Sequence, residues 1–197
     1  MNETQHTPES NRGDEHNEAS VERFKTVFRR HPARVALVIH PDADAPVGLT
    51  VSSLASVSAR PPLVSFSISQ NASAAMQLLS APSLHVVLLG EHQSELAAAF
   101  ATSGAARFTE SQGWRRRAGR NDHSCELFLA SAPATLHVHA TDWIPAGDSW
   151  LVLSAVANVE IGPVRAPLIY YNQTYWPEGE LPVSGVTANH YAPSTSG

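Results

Sequence analysis

Large apolar side chains recur at Val21, Phe24, Val27 and Phe28, a helical spacing that puts all four on one face. Ser20 precedes them as a candidate N-cap and Pro32 follows as a stop, so the pattern predicts a helix between the two. Residues 1–19 hold almost no large apolar side chain and are expected to form a disordered tail, because nothing there offsets the entropy of ordering. Beyond Pro32 the period changes. VALVIH, VGLTVSSL and LVSFSIS are short β-rich runs parted by the turn formers PDADAP and ARPP, which favours neighbouring antiparallel strands. ASAAMQLLSA reads as a short helix, SLHVVLLG as a strand, and HQSELAAAFATSG as a helix closed by Gly104. After a loop rich in Arg and Gly, CELFLASAPATLHVHATDW and DSWLVLSAVANVEI predict long strands, and APLIYYNQTYW closes the body.

About six strands with two or three helices predict a mainly β fold, a closed or split antiparallel barrel with helices over its openings. The ending, residues 177–197, is rich in Pro, Gly and Ser and is expected to be an extended tail. That leaves residues 20–176 as one domain.

Composition narrows the function. With 197 residues, 43% of them hydrophobic, the chain can bury one substantial core. A formal charge of -5 gives no attraction for a phosphate backbone or an anionic membrane, so no nucleic-acid or membrane partner is expected. No run approaches the roughly 20 apolar residues that cross a bilayer, and the opening residues lack the apolar core of a signal peptide. The only cysteine, Cys125, has no intramolecular partner. A cytoplasmic location is the expectation.

Candidate chemistry concentrates in GLTVSSLASVSARPPLVSFSISQNAS, residues 48–73. On a strand, Leu49, Val51 and Ser53 share one face, and Thr50, Ser52 and Leu54 the other. Neither face is purely apolar. Small hydroxyl residues let a flat ligand lie close to the backbone and supply donors and acceptors to its rim. Asn71 and Ser73 stand at the start of a predicted helix, where free N–H groups suit a phosphate. Strand serines and helix-capping serines also occur with no ligand, and the residues alone leave both readings open.

Other conspicuous residues have plainer readings. His137 and His139 share a strand face, but no third ligand has clear spacing, with only Asp142 and His123 as candidates, and no metal site is expected. Arg115, Arg116 and Arg117 read as a solvated run, with the adenylate of a dinucleotide as the alternative. Cys125 reads as a buried or idle thiol. Asn71-Ala72-Ser73 and Asn172-Gln173-Thr174 satisfy the glycosylation sequon, which an intracellular chain does not present to that machinery.

The succession of HPA, VALV, GLTVSS, SVSARPPLVSFSI, FATSGAARF, AGDSWLVLSAV and PLIYY, in order from about Phe28 to Tyr175, resembles the flavin reductase-like, FMN-binding split-barrel family. The resemblance implies a homodimer of Greek-key split barrels with flavin near the subunit interface. It implies FMN or FAD as cofactor and NADH or NADPH as donor, with a flavin-dependent monooxygenase receiving the reduced flavin. Gly48, Leu49, Thr50, Val51, Ser52 and Ser53 match the family's isoalloxazine-binding segment. Ser67, Ser69, Gln70, Asn71, Ala72 and Ser73 match its phosphate region, with Gln70 where many relatives carry a basic residue, which implies loosely held flavin. Arg107 and Phe108 match the Arg-Phe pair that closes the pocket, with a helix-to-loop anchor as the alternative role. No protein acid or base is implied, because hydride passes between stacked rings. Ser149 stands where relatives often have the histidine of Gly-Asp-His, on the nicotinamide side with Trp150. That departure makes a non-reducing flavin-binding electron carrier one alternative; a second is an oxidase or oxygenase-like member of the wider split-barrel group with its own small substrate.

Overall fold

The computed structural model describes residues 11–42, 44–118 and 125–182. Its strands are β1 (Ala33–Arg34), β2 (Ala36–His40), β3 (Val47–Val51), β4 (Ala55–Ala59), β5 (Pro62–Ser69), β6 (Leu84–Leu88), β7 (Trp114–Ala118), β8 (Cys125–Leu129), β9 (Ala134–Ala146), β10 (Ser149–Ile161), β11 (Leu168–Tyr171) and β12 (Thr174–Pro177). The helices are α1 (Asn11–Arg29), α2 (Ala75–Ser80) and α3 (Ser94–Ala101).

Seven strands form one antiparallel sheet in the order β3-β2-β6-β9-β10-β5-β4. The sheet curls so that its two ends meet. Ser53, just past β3, accepts a hydrogen bond from the Ser67 amide of β5 at 2.8 Å, yet β3 and β5 are not neighbours in the ladder. This is a mainly β split barrel, as the strand-rich pattern predicts.

Two apolar clusters flank the central strands. Val38, Val51, Phe66, Ile68, Val86, Val138 and Val152 fill the interior, and α2 plugs it with Leu78 and Leu79. Leu37, Ile39, Val87 and Leu89 point the other way and are covered by Phe100 of α3, Trp114 of β7, and Leu127 and Leu129 of β8. Strand β2 is therefore buried on both faces, which is why VALVIH reads as a continuous apolar run.

Three features depart from the sequence reading. Helix α1 begins at Asn11, taking in residues 11–19 that their polarity assigned to the tail; Glu15, Glu18 and Ala19 are good helix formers that lack only an apolar face. Ser20 therefore lies inside the helix and does not cap it. The arginine loop is partly strand, with Trp114–Ala118 paired to Cys125–Leu129. The closing aromatic segment leaves the barrel and forms a separate sheet, β1-β11-β12. Its two-residue turn holds Asn172 and Gln173 at φ 49° and 64°, the left-handed geometry that a tight hairpin of this length requires. Residues 1–10, the loop bearing His123, and most of the predicted C-terminal tail lie outside the described residues.

Candidate functional site

The split between β3 and β5 is the candidate site. Among the described residues strand β3 pairs only with β2, and its Gly48 carbonyl bonds outward to Arg107. In an antiparallel pair, the backbone groups of alternate residues point to the same side. Thr50 therefore turns its N–H and C=O away from β2 as Gly48 does, and this edge of β3 supplies backbone groups to the split. A cavity of about 380 Å³ opens there, lined by Leu49 and Thr50 on one wall, Ser67, Ser69 and Ser73 on the other, and Arg107.

Side-chain alternation decides which residues meet in it. Val64, Phe66 and Ile68 point into the barrel, so Ser65, Ser67 and Ser69 point outward. Gly48 is buried beneath α3, and a Cβ on it would sit 2.6 Å from Ile39 and 2.9 Å from the Phe100 ring. Glycine is required there by packing. The Thr50 hydroxyl donates to the Ala97 carbonyl of α3 at 2.8 Å, which leaves it able to accept. Val51 is buried in the interior cluster. Ser52 and Ser53 line a larger groove of about 740 Å³ together with Phe24, Phe28 and Tyr170. A smaller cavity sharing Thr50 with the first space, and Ser52 and Tyr170 with the second, lies between them. The hydroxyl residues thus lie along one trench and do not ring a single pocket.

The segment expected to meet a phosphate has a different basis from the predicted helix cap. Helix α2 starts at Ala75 with Ala74 as its N-cap and no side-chain cap bond. Asn71 and Ser73 instead belong to a turn in which the Asn71 amide donates to Ser69 Oγ at 3.3 Å and the Ala72 amide to the Ser69 carbonyl at 3.1 Å. Gln70 turns aside, donating through Nε2 to the carbonyls of Gly147 and Ser149. The nearby positive charge is Arg107, which lines both this cavity and an adjoining one of about 590 Å³ that also contains Ser73.

Arg107 donates to the carbonyls of Ala99, Thr102 and Gly48 at 3.2, 2.8 and 3.0 Å. Three of its five N–H groups are used, and two remain for a ligand. It is both an anchor and a lining residue. Phe108, at φ 59°, packs its ring 4.8 Å from Phe100 and 5.0 Å from Trp114 and reaches over Gly48. Across the β5–β10 pairing, Ser149 stands opposite Ser69 and Trp150 opposite Ile68. The Ser149 hydroxyl donates to Asp148 Oδ1 at 3.0 Å, and Trp150 meets Trp143 edge-on at 5.5 Å.

Away from the split, His137 Nε2 donates to Glu160 at 2.6 Å, and Arg117 clasps the same carboxylate with bonds of 2.9 and 2.6 Å. The Arg117 hydrogen bond, with His137 assisting, holds the Glu160 carboxyl down to about 2. His139 turns instead to the Pro82 carbonyl. Arg117 is thus tied into the fold, unlike a solvated run. Sequence spacing carried no signal for this cluster, since 43 positions separate Arg117 from Glu160. Phe100, Ala101 and Ser103 also line the split with no local sequence signal for it, because a helix and its exit loop reach it only through tertiary packing.

Comparison with known proteins gives a consistent picture. The chain is 37% identical over 157 residues to an NADH:FMN oxidoreductase of Rhodococcus erythropolis, covering 78% of this chain and 79% of that protein. It is 29% identical over 160 residues to the reductase component of a 4-hydroxyphenylacetate 3-monooxygenase of Thermus thermophilus, covering 79% and 98%. The crystal structure of a flavin reductase domain protein from Arthrobacter sp. FB24 superposes with a TM-score of 0.69 at 28% identity, covering 79% of this chain and 93% of that one. The sequence profile of the flavin reductase like domain matches residues 28–178, and the chain belongs to that family.

Proposed function

We propose that the protein is an NAD(P)H-dependent flavin reductase that supplies reduced FMN or FAD to a partner monooxygenase. The observation that carries this reading is the split itself, an unpaired strand edge facing a hydroxyl-lined turn with one arginine between them. Cavities of about 380 and 590 Å³ fall in the range of small-molecule sites, roughly 300–1,000 Å³. The donor set fits a flavin mononucleotide. Ser69, Asn71, Ser73 and the free N–H groups of Arg107 suit a phosphate, while the edge of β3 from Gly48 to Ser53 suits the rim of a planar ring. Flavin bound there supplies the redox chemistry, taking up hydride from a nicotinamide. The chain's own task is positional: the β3 edge holds one ring system, and Ser149 and Trp150 flank the space for the other.

Anaerobic mixing with excess FMN and NADH tests the reading. Rapid bleaching of the whole flavin pool is the expected result. Bleaching confined to bound flavin identifies an electron carrier, and no bleaching leaves an oxidase with its own substrate.

The active form we propose is a homodimer. The outward face of β5 and β10 presents Ser65, Ser67, Leu151 and Leu153, with exposed Ile144 opposite Leu151. The α1 stripe of Val21, Phe24, Val27 and Phe28 is also exposed. Apolar surface of this extent favours a second copy. No described helix is long and apolar enough to cross a membrane, and a nicotinamide donor supports a cytoplasmic setting.

A further inference from the structure

Gln70 joins two turns that are far apart in sequence. Its backbone amide donates to the Asp148 carbonyl at 2.9 Å. Its side-chain Nε2 donates to the carbonyls of Gly147 and Ser149, each at 3.3 Å. One residue thus engages three consecutive carbonyls of the turn between β9 and β10. That turn has two residues between the paired positions Ala146 and Ser149, and Gly147 enters it at φ 63°. Because carbonyls only accept, both must face Nε2, so the amide cannot be flipped and Oε1 faces away from the turn. Both amide hydrogens are spent, which removes Gln70 from the set of phosphate donors.

We propose that Gln70 is a positioning residue for the nicotinamide donor. It holds the Gly147–Ser149 turn, and with it Ser149 and Trp150, at a fixed distance from the turn of Ser69 to Ser73. The inference rests on the reading that Ser149 and Trp150 flank the donor. Without these bonds the carbonyls of Gly147 and Ser149 turn to water, and a glycine-containing hairpin end samples more conformations. Ordering that end then opposes donor binding, whereas the hydride step, once both rings are stacked, proceeds as before. The turn of Ser69 to Ser73 keeps its own bonds, from the amides of Asn71 and Ala72 to Ser69, so flavin affinity should hold.

The test uses Gln70→Leu, which removes the donors, and Gln70→Lys, which retains donor hydrogens on a chain of similar reach. For Gln70→Leu we expect the KM for NADH and the calorimetric Kd for NAD+ on FMN-loaded protein to rise about five- to tenfold, with kcat and the FMN Kd changing less than about twofold. Hydrogen exchange across residues 147–150 of flavin-free protein should quicken, and Gln70→Lys should bring all three values back toward wild type. Faster exchange with unchanged NADH and NAD+ constants would make Gln70 a fold anchor only and overturn the proposal. A parallel rise in the FMN Kd would assign it to the flavin instead. Wild-type protein that neither binds NAD+ nor reduces FMN with NADH refutes the reductase reading itself, a result visible without any variant.

Discussion

The Arg107 guanidinium donates to the Gly48 carbonyl at 3.0 Å while its other nitrogens hold the Ala99 and Thr102 carbonyls. One side chain therefore ties the exit of α3 to the edge strand of the split. Arg107→Ala should lower stability by about 2 kcal/mol, the scale of a charged group losing its acceptors, and weaken FMN binding about tenfold. Arg107→Lys should recover part of the FMN affinity but little of the stability, because an ammonium cannot fork to three carbonyls. Thermal melts and flavin-fluorescence titration read the two effects. A lysine variant that melts like wild type would show that the fork does not carry the tie.

Ser73 lines both cavities around Arg107. Ser73→Asp should set a carboxylate against the proposed phosphate and weaken FMN binding, while leaving riboflavin, which lacks the phosphate, nearly unaffected. Equal losses for the two flavins would move the phosphate elsewhere.

Glu160 predicts an acid-dependent stability. Its carboxyl lies at about 2 in the folded chain against an ordinary 4.5, chiefly through the Arg117 hydrogen bond. A depressed carboxyl contributes stability that is fully present above its unfolded value and is lost as pH falls toward the folded one. Glu160→Gln should therefore be less stable than wild type at about pH 6, with the difference shrinking below about pH 4.5 and closing only as pH falls to about 2. Urea midpoints for both proteins across that range provide the check, and a constant difference would dissociate Glu160 from the effect.

Leu151, exposed beside Ile144, tests the assembly. Light scattering should give about twice the 21.1 kDa chain mass for wild type and a single chain for Leu151→Glu, since a buried unpaired carboxylate opposes association. A wild-type monomer, or a variant that remains dimeric, would remove this face from the interface.

The barrel was legible because its strands announce themselves by period and by turn residues. GLTVSS and LVSFSIS reappear as β3 and β5, and the alternation of Leu49 against Thr50 holds, with the Thr50 hydroxyl turned to α3. Where the sequence misleads, long-range pairing has overruled local signals. Asn71 and Ser73 looked like caps, but the chain makes another turn before α2 begins. Gln70 looked like a phosphate neighbour, yet carbonyls 77 and 79 positions away claim its amide. The aromatic APLIYYNQTYW reads as the strand that closes the body, but it folds into a separate sheet with β1, its Leu168 buried in the outer cluster and Tyr170 and Tyr175 packed against that cluster. No local pattern reports such distant acceptors.

The barrel's incomplete closure also bears on motion. Strands β3 and β5 meet at the split without sharing a ladder, so widening it breaks no strand pairing and has the Ser53–Ser67 bond to part. Local opening then needs far less than global unfolding. Amides of β2 and β6, enclosed by apolar clusters on both faces, should exchange only when the whole chain unfolds, whereas those along the β3 edge should exchange on the time scale of the split. Under the proposed function, in which reduced flavin passes to a partner monooxygenase, this opening gives the ligand a way out that leaves the fold intact.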